Sequence, residues 1–374
     1  MKIGLFGGAF NPPHREHINI VKELMEERKY DRLVLILSNN PPHKSSVNTP
    51  FDTRLELLKL AFSNISGVEI SDIEGRDNEK HFSYDIIRYF KGVYEGDELE
   101  FIIGGDSMID FHKWLKPEEI IKLVRIVVVP RGGDMEEVLS AKEYYDGFGA
   151  DIVVSNYRAN AISSSVLRCR IALGDDMSDI LEKNCWEFVK RERLYRDYDA
   201  VLERLARELK PERFEHTKGV ARYAMKLNEN LRLDYDRVML SSLLHDCAKG
   251  NVKYSYPIRE DAVGANVEHS FMGRQVAMRE YGVRDSEVLD AIEYHCTARP
   301  KMSTLEKLIY SADMLEEGRN FEGVERLREI IESDFETGFC ECLKATYRHV
   351  KDMGFSMYPL TAEAYGYYIG GGNN

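Results

Sequence analysis

Residues 3–17, IGLFGGAFNPPHREH, decide how the first half of the chain folds. Ile3–Phe6 is a short apolar run with no polar face, the composition of a strand buried on both sides. Gly7 and Gly8 follow at once, and without a Cβ they let the chain turn tightly and bring backbone N–H groups close to a ligand. Pro12 and Pro13 stiffen the turn, and from His14 onward the apolar positions Ile18, Val21 and Leu24 recur at helical spacing. His14 and His17 are three apart, so on a helix they share one face. Two imidazoles at a helix start, beside a glycine turn that follows a strand, suit a polyphosphate.

Outward from this stretch, apolar runs alternate with helical patterns as far as about residue 155. Leu33–Leu37, Val68–Ile70, Leu99–Ile103, Ile126–Val129 and Ile152–Val154 read as strands, and Arg54–Phe62, Tyr84–Phe90 and Pro117–Leu123 as helices. The rhythm predicts an α/β domain with a Rossmann-like, doubly wound parallel sheet and ligands at the carboxyl ends of the strands. The chemically rich residues fall just after the strands. Lys44 can place a charge on a phosphate, and Asp106, after Gly104-Gly105, offers a carboxylate to a ribose hydroxyl or a metal. Trp114 presents a flat face to a pyridine ring. Arg131 stands directly past a strand, and Ser163-Ser164-Ser165 opens a helix whose unpaired N–H groups and dipole favour an anion.

Phe10–His17 resembles the first signature of the nucleotidyltransferase superfamily of α/β phosphodiesterases, and Ile162–Arg168 its second. Glu16 stands where that superfamily usually has glycine. Pro41-Pro42-His43-Lys44, the following Arg54, the stretch His81–Asp85, and Gly104–Ser107 with Trp114 are similar to nicotinate-mononucleotide adenylyltransferases. His81, Ser83 and Gly105 replace the usual serine, threonine and alanine. The resemblance covers residues 1–195. It implies attack of the nicotinate-mononucleotide phosphate on the α-phosphorus of ATP, with Mg²⁺ accompanying ATP, to give deamido-NAD and pyrophosphate. His14 and His17 would be catalytic. Gly7, Gly8, Phe10, Lys44, Gly104, Asp106, Arg131, Ser164, Ser165 and Arg168 would bind ATP, and Ser83, Trp114 and Lys44 the nicotinate nucleotide. Adenylyl transfer to pantetheine phosphate is the alternative within this half.

A chain of 374 residues has room for two domains. We expect a boundary near Asp197, giving 1–196 and 197–369, with a flexible tail over 370–374. The stretch Arg191–Arg213 is densely charged around Leu202, Leu205 and Leu209, which predicts one solvated helix joining the domains. Beyond residue 200 the pattern is entirely helical. With 64 acidic against 51 basic residues, the chain lacks the basic surface that broad nucleic-acid or anionic-membrane binding needs. No run approaches the length of a membrane span, the N-terminus lacks a signal-peptide layout, and the six cysteines include no C-x-x-C pair. These features predict reduced thiols and a cytoplasmic location. The oligomeric state stays open, a homo-oligomer included.

In the second half, His216, His245, Asp246, His269, His295 and Asp313 stand out. His245-Asp246 ends the apolar run Met239–Leu244, so both should project from a helix end into the bundle. His216 and His269 should each begin a helix. Asp313 directly follows the run Leu308–Ala312, where an uncompensated carboxylate is costly, and a cation is the simplest compensation. Imidazoles with carboxylates suit Fe, Mn, Co, Zn or Ni. The set resembles the HD superfamily of metal-dependent phosphohydrolases, in a version binding one or two divalent metals. Phe214–Val220, Leu243–Lys249, His295–Met302 and Ala312–Arg319 are similar to symmetrical diadenosine-tetraphosphate (Ap4A) hydrolases, with Cys296-Thr297-Ala298 where Thr-Thr-Gly is usual. This resemblance covers about 205–368. It implies hydrolysis of Ap4A to two ADP, with Asp246 as the central ligand and Lys249 and Arg319 on substrate phosphates. An HD domain acting on another nucleotide, or serving as a nucleotide sensor, is the alternative; no G-Y-P follows the HD pair, which weighs against cyclic dinucleotides.

Overall fold

The computed structural model describes residues 1–39, 49–76, 81–160, 162–250 and 252–370. The chain forms two units, Met1–Arg168 with Asp176–Tyr195, and Cys169–Asp175 with Arg196–Asn374.

The first unit is built on six parallel strands: β1 (Lys2–Gly8), β2 (Arg32–Leu37), β3 (Val68–Ser71), β4 (Glu98–Gly104), β5 (Arg125–Val129) and β6 (Ile152–Val154). Their order is β3-β2-β1-β4-β5-β6. β1 is therefore flanked by β2 on one side and β4 on the other, with Phe6 paired to Leu35 and to Ile102. Sheet order reverses between β1 and β4, so the chains leaving these strands diverge and open a crevice at their carboxyl ends. The helices are α1 (Arg15–Arg28), α2 (Phe51–Phe62), α3 (Ser83–Val93), α4 (Gly105–Ile109), α5 (Pro117–Leu123), α6 (Met135–Asp146), α7 (Ser164–Ala172) and α8 (Lys183–Arg191). The strands are apolar on both faces because both are covered. Ile3, Leu5, Val34, Ile36, Phe101 and Ile103 form one core with Ile86, Ile87 and Phe90 of α3 and Ile120 and Ile121 of α5. At the amino ends of the strands, the fully buried Glu100 carboxylate accepts from Arg28 (2.6 and 2.9 Å), Tyr30 (2.7 Å) and Arg125 (3.0 Å). Burial works against its charge, but these donors and Lys2 hold its pKa at about 2.

The second unit is helical: α9 (Asp199–Glu208), α10 (Pro211–Leu231), α11 (Tyr235–Leu244), α12 (Glu268–Glu280), α13 (Ser286–Tyr294), α14 (Thr304–Leu315), α15 (Val324–Ser333), α16 (Phe335–Asp352) and α17 (Pro359–Tyr368). Two expectations need correction. Arg191–Arg213 is not one helix: α8 ends at Arg191, Arg193 and Tyr195 take positive φ, and the chain extends again at Leu209 and Lys210. Pro211 forces the second break, because a residue before proline is pushed out of the helical region. His216 does not begin a helix but lies in the second turn of α10, which Pro211 starts. Among the described residues no helix is long and apolar enough to cross a membrane, and none of the six cysteines is in a disulfide.

Candidate active sites

In the first unit the strand–turn–helix expected from residues 3–17 is present, with one refinement. His14 is the extended residue before α1 (φ −137°, ψ 170°), not part of it. That step off the helix lets its ring lie over His17, with centroids 3.7 Å apart and planes at 29°. The His14 backbone N–H donates to His17 Nδ1 (3.2 Å), so the neutral His17 ring carries its proton on Nε2. Phe10, at φ 42°, sets its ring against His17 at 5.0 Å. The same ring would lie 3.0 Å from a Cβ at Gly8, whereas Gly7 has open space beside it.

The carbonyls of this turn are clamped from behind. Arg168 donates to the Asn11 carbonyl (2.7 Å), Ser164 to that of Pro12 (3.3 Å), and the Tyr195 hydroxyl to Asn11 Oδ1 (2.8 Å). Ser165 Oγ accepts from Arg168 (3.1 Å). Arg54, fully buried, donates to the carbonyls of Ala9, Ser38, Asn39 and Thr49. Hence the start of α7 lies against the histidine turn, as an anion site needs. Glu16 is turned into the protein: it accepts from the Asn160 N–H (2.8 Å), the Asn160 side chain (3.0 Å) and the Tyr157 hydroxyl (2.7 Å). Burial raises its pKa, and these donors overcome burial and bring it below the ordinary value.

On the β4 side, Gly104 and Gly105 open α4. A Cβ on Gly105 would come within 1.9 Å of Asp134 Oδ2, so glycine at this position permits the close approach of Asp134. Asp106 accepts from the Ser107 N–H (2.9 Å) and lies 4.0 Å from Arg131 Nη1, both side chains half-exposed. Ser83 is the first residue of α3. Trp114 is partly buried against Phe111 (5.2 Å) and Phe101 (6.3 Å), which leaves only part of its face for a ligand. Lys44 lies outside the described residues.

In the second unit all six expected ligands converge from α10, the ends of α11 and α13, the start of α12, and α14. Asp246 is fully buried. Its carboxylate lies 3.3 Å from His295 Nε2, 3.7 Å from His269 Nε2 and 3.5 Å from His245 Nε2. Asp313 Oδ1 is 2.9 Å from His216 Nε2 and 4.0 Å from His245 Nε2. The rings are aimed by their other nitrogens. His245 Nδ1 faces the Ser242 carbonyl and His295 Nδ1 the Ile292 carbonyl, each at 2.7 Å, and His216 Nδ1 faces Glu316 at 3.1 Å. Each acceptor requires the proton on Nδ1 and turns Nε2 inward, the arrangement that metal-ligating histidines use.

Burial opposes charge on His216 and His295, yet Asp313 and Glu316 raise the pKa of the first and Cys296 and Asp246 that of the second, so a bound cation would take the place of these protons. Burial, with the Lys249 charge next, pushes His269 down to about 3, so it is a neutral donor. Burial opposes the charge on Asp246, yet His245 and His295 hold it far below the usual carboxylate range. His245 Nε2 and Asp246 Oδ1 are buried and make no hydrogen bond. Three basic side chains lean on the carboxylates: Arg213 (2.9 Å) and Lys249 (3.2 Å) on Asp246, and Arg319 (2.6 Å) on Asp313. Beside them lies a cleft of about 730 Å³ lined by Lys210, Arg213, His216, Arg222, Glu316 and Arg319, among others. Imidazoles and carboxylates whose lone pairs meet at one buried point form a donor set for divalent cations.

Residues 5–170 match the cytidylyltransferase-like family model, and residues 213–318 the HD domain model. A Clostridium tetani protein described as a probable nicotinate-nucleotide adenylyltransferase is 31% identical over 198 residues, which is 52% of this chain and 99% of that protein. The chain belongs to that family. Its adenylyltransferase unit is also 30% identical to a Carboxydothermus hydrogenoformans protein of the same description, across 52% of this chain and 98% of that one. A Clostridium acetobutylicum crystal structure, of a "predicted HD superfamily hydrolase involved in NAD metabolism", is 33% identical, covers 46% of this chain and 97% of its own, and has a TM-score of 0.44. The match of residues 213–318 to the HD domain model places an HD unit after the adenylyltransferase unit in the chain.

Several residues at these sites escaped the sequence reading. Asn11, the bracing of the adenylyltransferase turn by Arg54, and Tyr195 are visible only once the turn is closed. In the HD unit, Arg213 stands one helical turn before His216, and Glu316 three residues after Asp313, spacings that could have pointed to both. Cys296 follows His295 directly, and its Sγ lies 2.8 Å from His269 Nε2 and 3.1 Å from His295 Nε2.

Proposed function

We propose that the chain is a bifunctional nucleotide enzyme, transferring adenylate from ATP to nicotinate mononucleotide and hydrolysing a dinucleoside polyphosphate, Ap4A, to two ADP. The transferase reading is carried by the stacked His14–His17 pair at the β1–β4 switch point, against the start of α7. An oxygen of the nicotinate-mononucleotide phosphate bonds to the α-phosphorus of Mg²⁺–ATP as the bond to the β-phosphate breaks, and pyrophosphate leaves. No protein nucleophile is needed; the barrier falls through alignment and charge neutralisation. His14 and His17 donate to phosphate oxygens, the α7 N–H groups and Arg131 hold the triphosphate, and Gly7, Gly8, Phe10, Gly104 and Asp106 shape the nucleotide's seat. Ser164, Ser165 and Arg168, expected on ATP, also keep the turn in place from behind. Ser83 and the exposed part of Trp114 line the nicotinate side, with Lys44 expected beside them.

The hydrolase reading is carried by the convergence of four imidazoles and two carboxylates on one buried point. His216, His245, Asp246, His269, His295 and Asp313 would hold one or two divalent cations, with Asp246 central. Bound there, such cations act as Lewis acids and lower the pKa of water. Arg213, Lys249 and Arg319 can exchange their carboxylate partners for substrate phosphates, and Arg213 and Arg319 also line the adjoining cleft, whose other walls carry glutamates as well as Lys210 and Arg222. Water attacks phosphorus and the bond to the departing ADP breaks.

The test is chromatographic. Purified protein with ATP, Mg²⁺ and nicotinate mononucleotide should form deamido-NAD; with Ap4A and Mn²⁺ or Co²⁺ it should form ADP alone. Failure to form deamido-NAD refutes the first activity. Binding of Ap4A without ADP release refutes the second in favour of a sensor.

A further inference from the structure

Cys296 places its thiol between two of the HD-unit histidines, in hydrogen-bond contact with both. Its Sγ is 2.8 Å from His269 Nε2 and 3.1 Å from His295 Nε2, and these three atoms lie close enough together to ligate one ion. Both imidazoles face Asp246 Oδ1, at 3.7 and 3.3 Å, and that oxygen is buried and without a hydrogen bond, its ion-pair partner being Lys249 Nζ at 3.2 Å. Next to them the fully buried His245 Nε2 is likewise without a hydrogen bond. Sulfur, two imidazole nitrogens and a carboxylate oxygen thus bring lone pairs to one place. A thiolate among them adds a second negative charge beside Asp246 and a soft donor to an otherwise N/O set.

We propose that Cys296 is a thiolate ligand of the HD metal centre, on its His269–His295 side. The inference rests on the reading of this centre as a metal site. On binding, the thiol proton passes to solvent as the sulfur–metal bond forms, with no change in oxidation state. Soft thiolate and imidazole donors favour Zn²⁺, Co²⁺ or Fe²⁺ over Mn²⁺. The metal preference of this chain should therefore differ from that of its own Cys296→Thr variant.

The geometry also makes the thiol easy to follow. Cys169, Cys185, Cys247 and Cys342 are buried, so only Cys296 and Cys340 are open to a labelling reagent. The full-length protein and its Cys296→Thr and Cys296→Ser variants are loaded with Co²⁺, assayed for bound metal, and examined by absorption. A near-ultraviolet thiolate-to-cobalt charge-transfer band is expected in the parent and absent in both variants, which keep cobalt d–d bands. Cobalt affinity should fall about 10-fold or more in the variants. Iodoacetamide should label Cys296 in metal-free protein and be blocked after loading, with Cys340 labelled alike in both. Cobalt-loaded parent without a sulfur band, or with Cys296 still labelled, overturns the ligand role alone. Parent protein that retains no cobalt overturns the metal centre and the ligand role together.

Discussion

The two sites of this chain meet the same difficulty, crowded phosphate charge on an acidic protein, with different materials. The adenylyltransferase site is made mainly of backbone: a glycine turn, a helix start and two stacked rings, braced from behind by Arg54, Arg168 and Tyr195. The HD site is made of side chains: a fully buried and a partly buried carboxylate, four imidazoles and a sulfur, gathered from five helices. Backbone donors are fixed by the fold and need no compensating charge. Buried carboxylates do, and here Arg213, Lys249 and Arg319 are held close to them, because an unpaired buried charge costs several kcal/mol. The difference teaches that the first site should tolerate loss of one side chain gradually, whereas the second should fail as a unit.

Asp246→Asn is the strongest challenge to that contrast. It removes the charge on which three imidazoles converge, so bound metal and Ap4A hydrolysis should both drop to background, while deamido-NAD synthesis stays at the parent rate. Metal analysis and the two assays check this, and parallel loss of both activities would mean that the sites do not fail separately. His17→Ala should lower kcat for adenylyl transfer by roughly 10²–10³, as expected for one lost transition-state donor, with little change in KM for ATP. An unchanged kcat would remove His17 from the mechanism. Glu316→Gln keeps the shape but weakens the acceptor that orients His216, and should reduce metal affinity about 10- to 100-fold in a competition titration. Gly105→Ala pushes a methyl group against the Asp134 carboxylate, which can swing aside, so a loss of about 1 kcal/mol is expected in denaturant unfolding. Adding Asp134→Ala should recover part of it.

The smallest effect concerns Glu16. Because hydrogen bonds lower its folded pKa below the ordinary 4.5, it stabilises the protein above about that pH. That stability fades as pH falls through the lower folded value. Melting temperature followed from pH 7 to pH 3 should fall less steeply in Glu16→Gln, which keeps most of the shape but cannot titrate; parallel curves would show that the carboxylate is not engaged in solution.

Much of this architecture was legible in the residues. β1 was plain because Ile3–Phe6 has no polar face, and the remaining strands because each apolar run is short and bounded. The HD-unit cluster was legible because four histidines and two aspartates recur together near the ends of apolar runs, although each alone reads as an ordinary core or cap residue. Other features were not. The helix α6 has a weak apolar stripe, Val138 and Tyr145, and its periodicity gave no warning. Glu16 could be read as intruding on the phosphate path, since nothing local shows that residues 157–160 supply its donors. Cys296 read as a departure from a familiar motif, and its partner His269 is 27 residues earlier.

The chain alone therefore determined its strand and helix periods, the residue types available for chemistry and the order in which they occur, since these are local and depend on spacing of 2 or 3.6 residues. Only the tertiary structure decided which of those residues meet, which nitrogen of each histidine faces inward, and which charges brace the scaffold instead of touching substrate. Those outcomes depend on distances between groups up to about 180 residues apart, such as Asn11 and Tyr195, and folding sets such distances through packing, which no local pattern encodes.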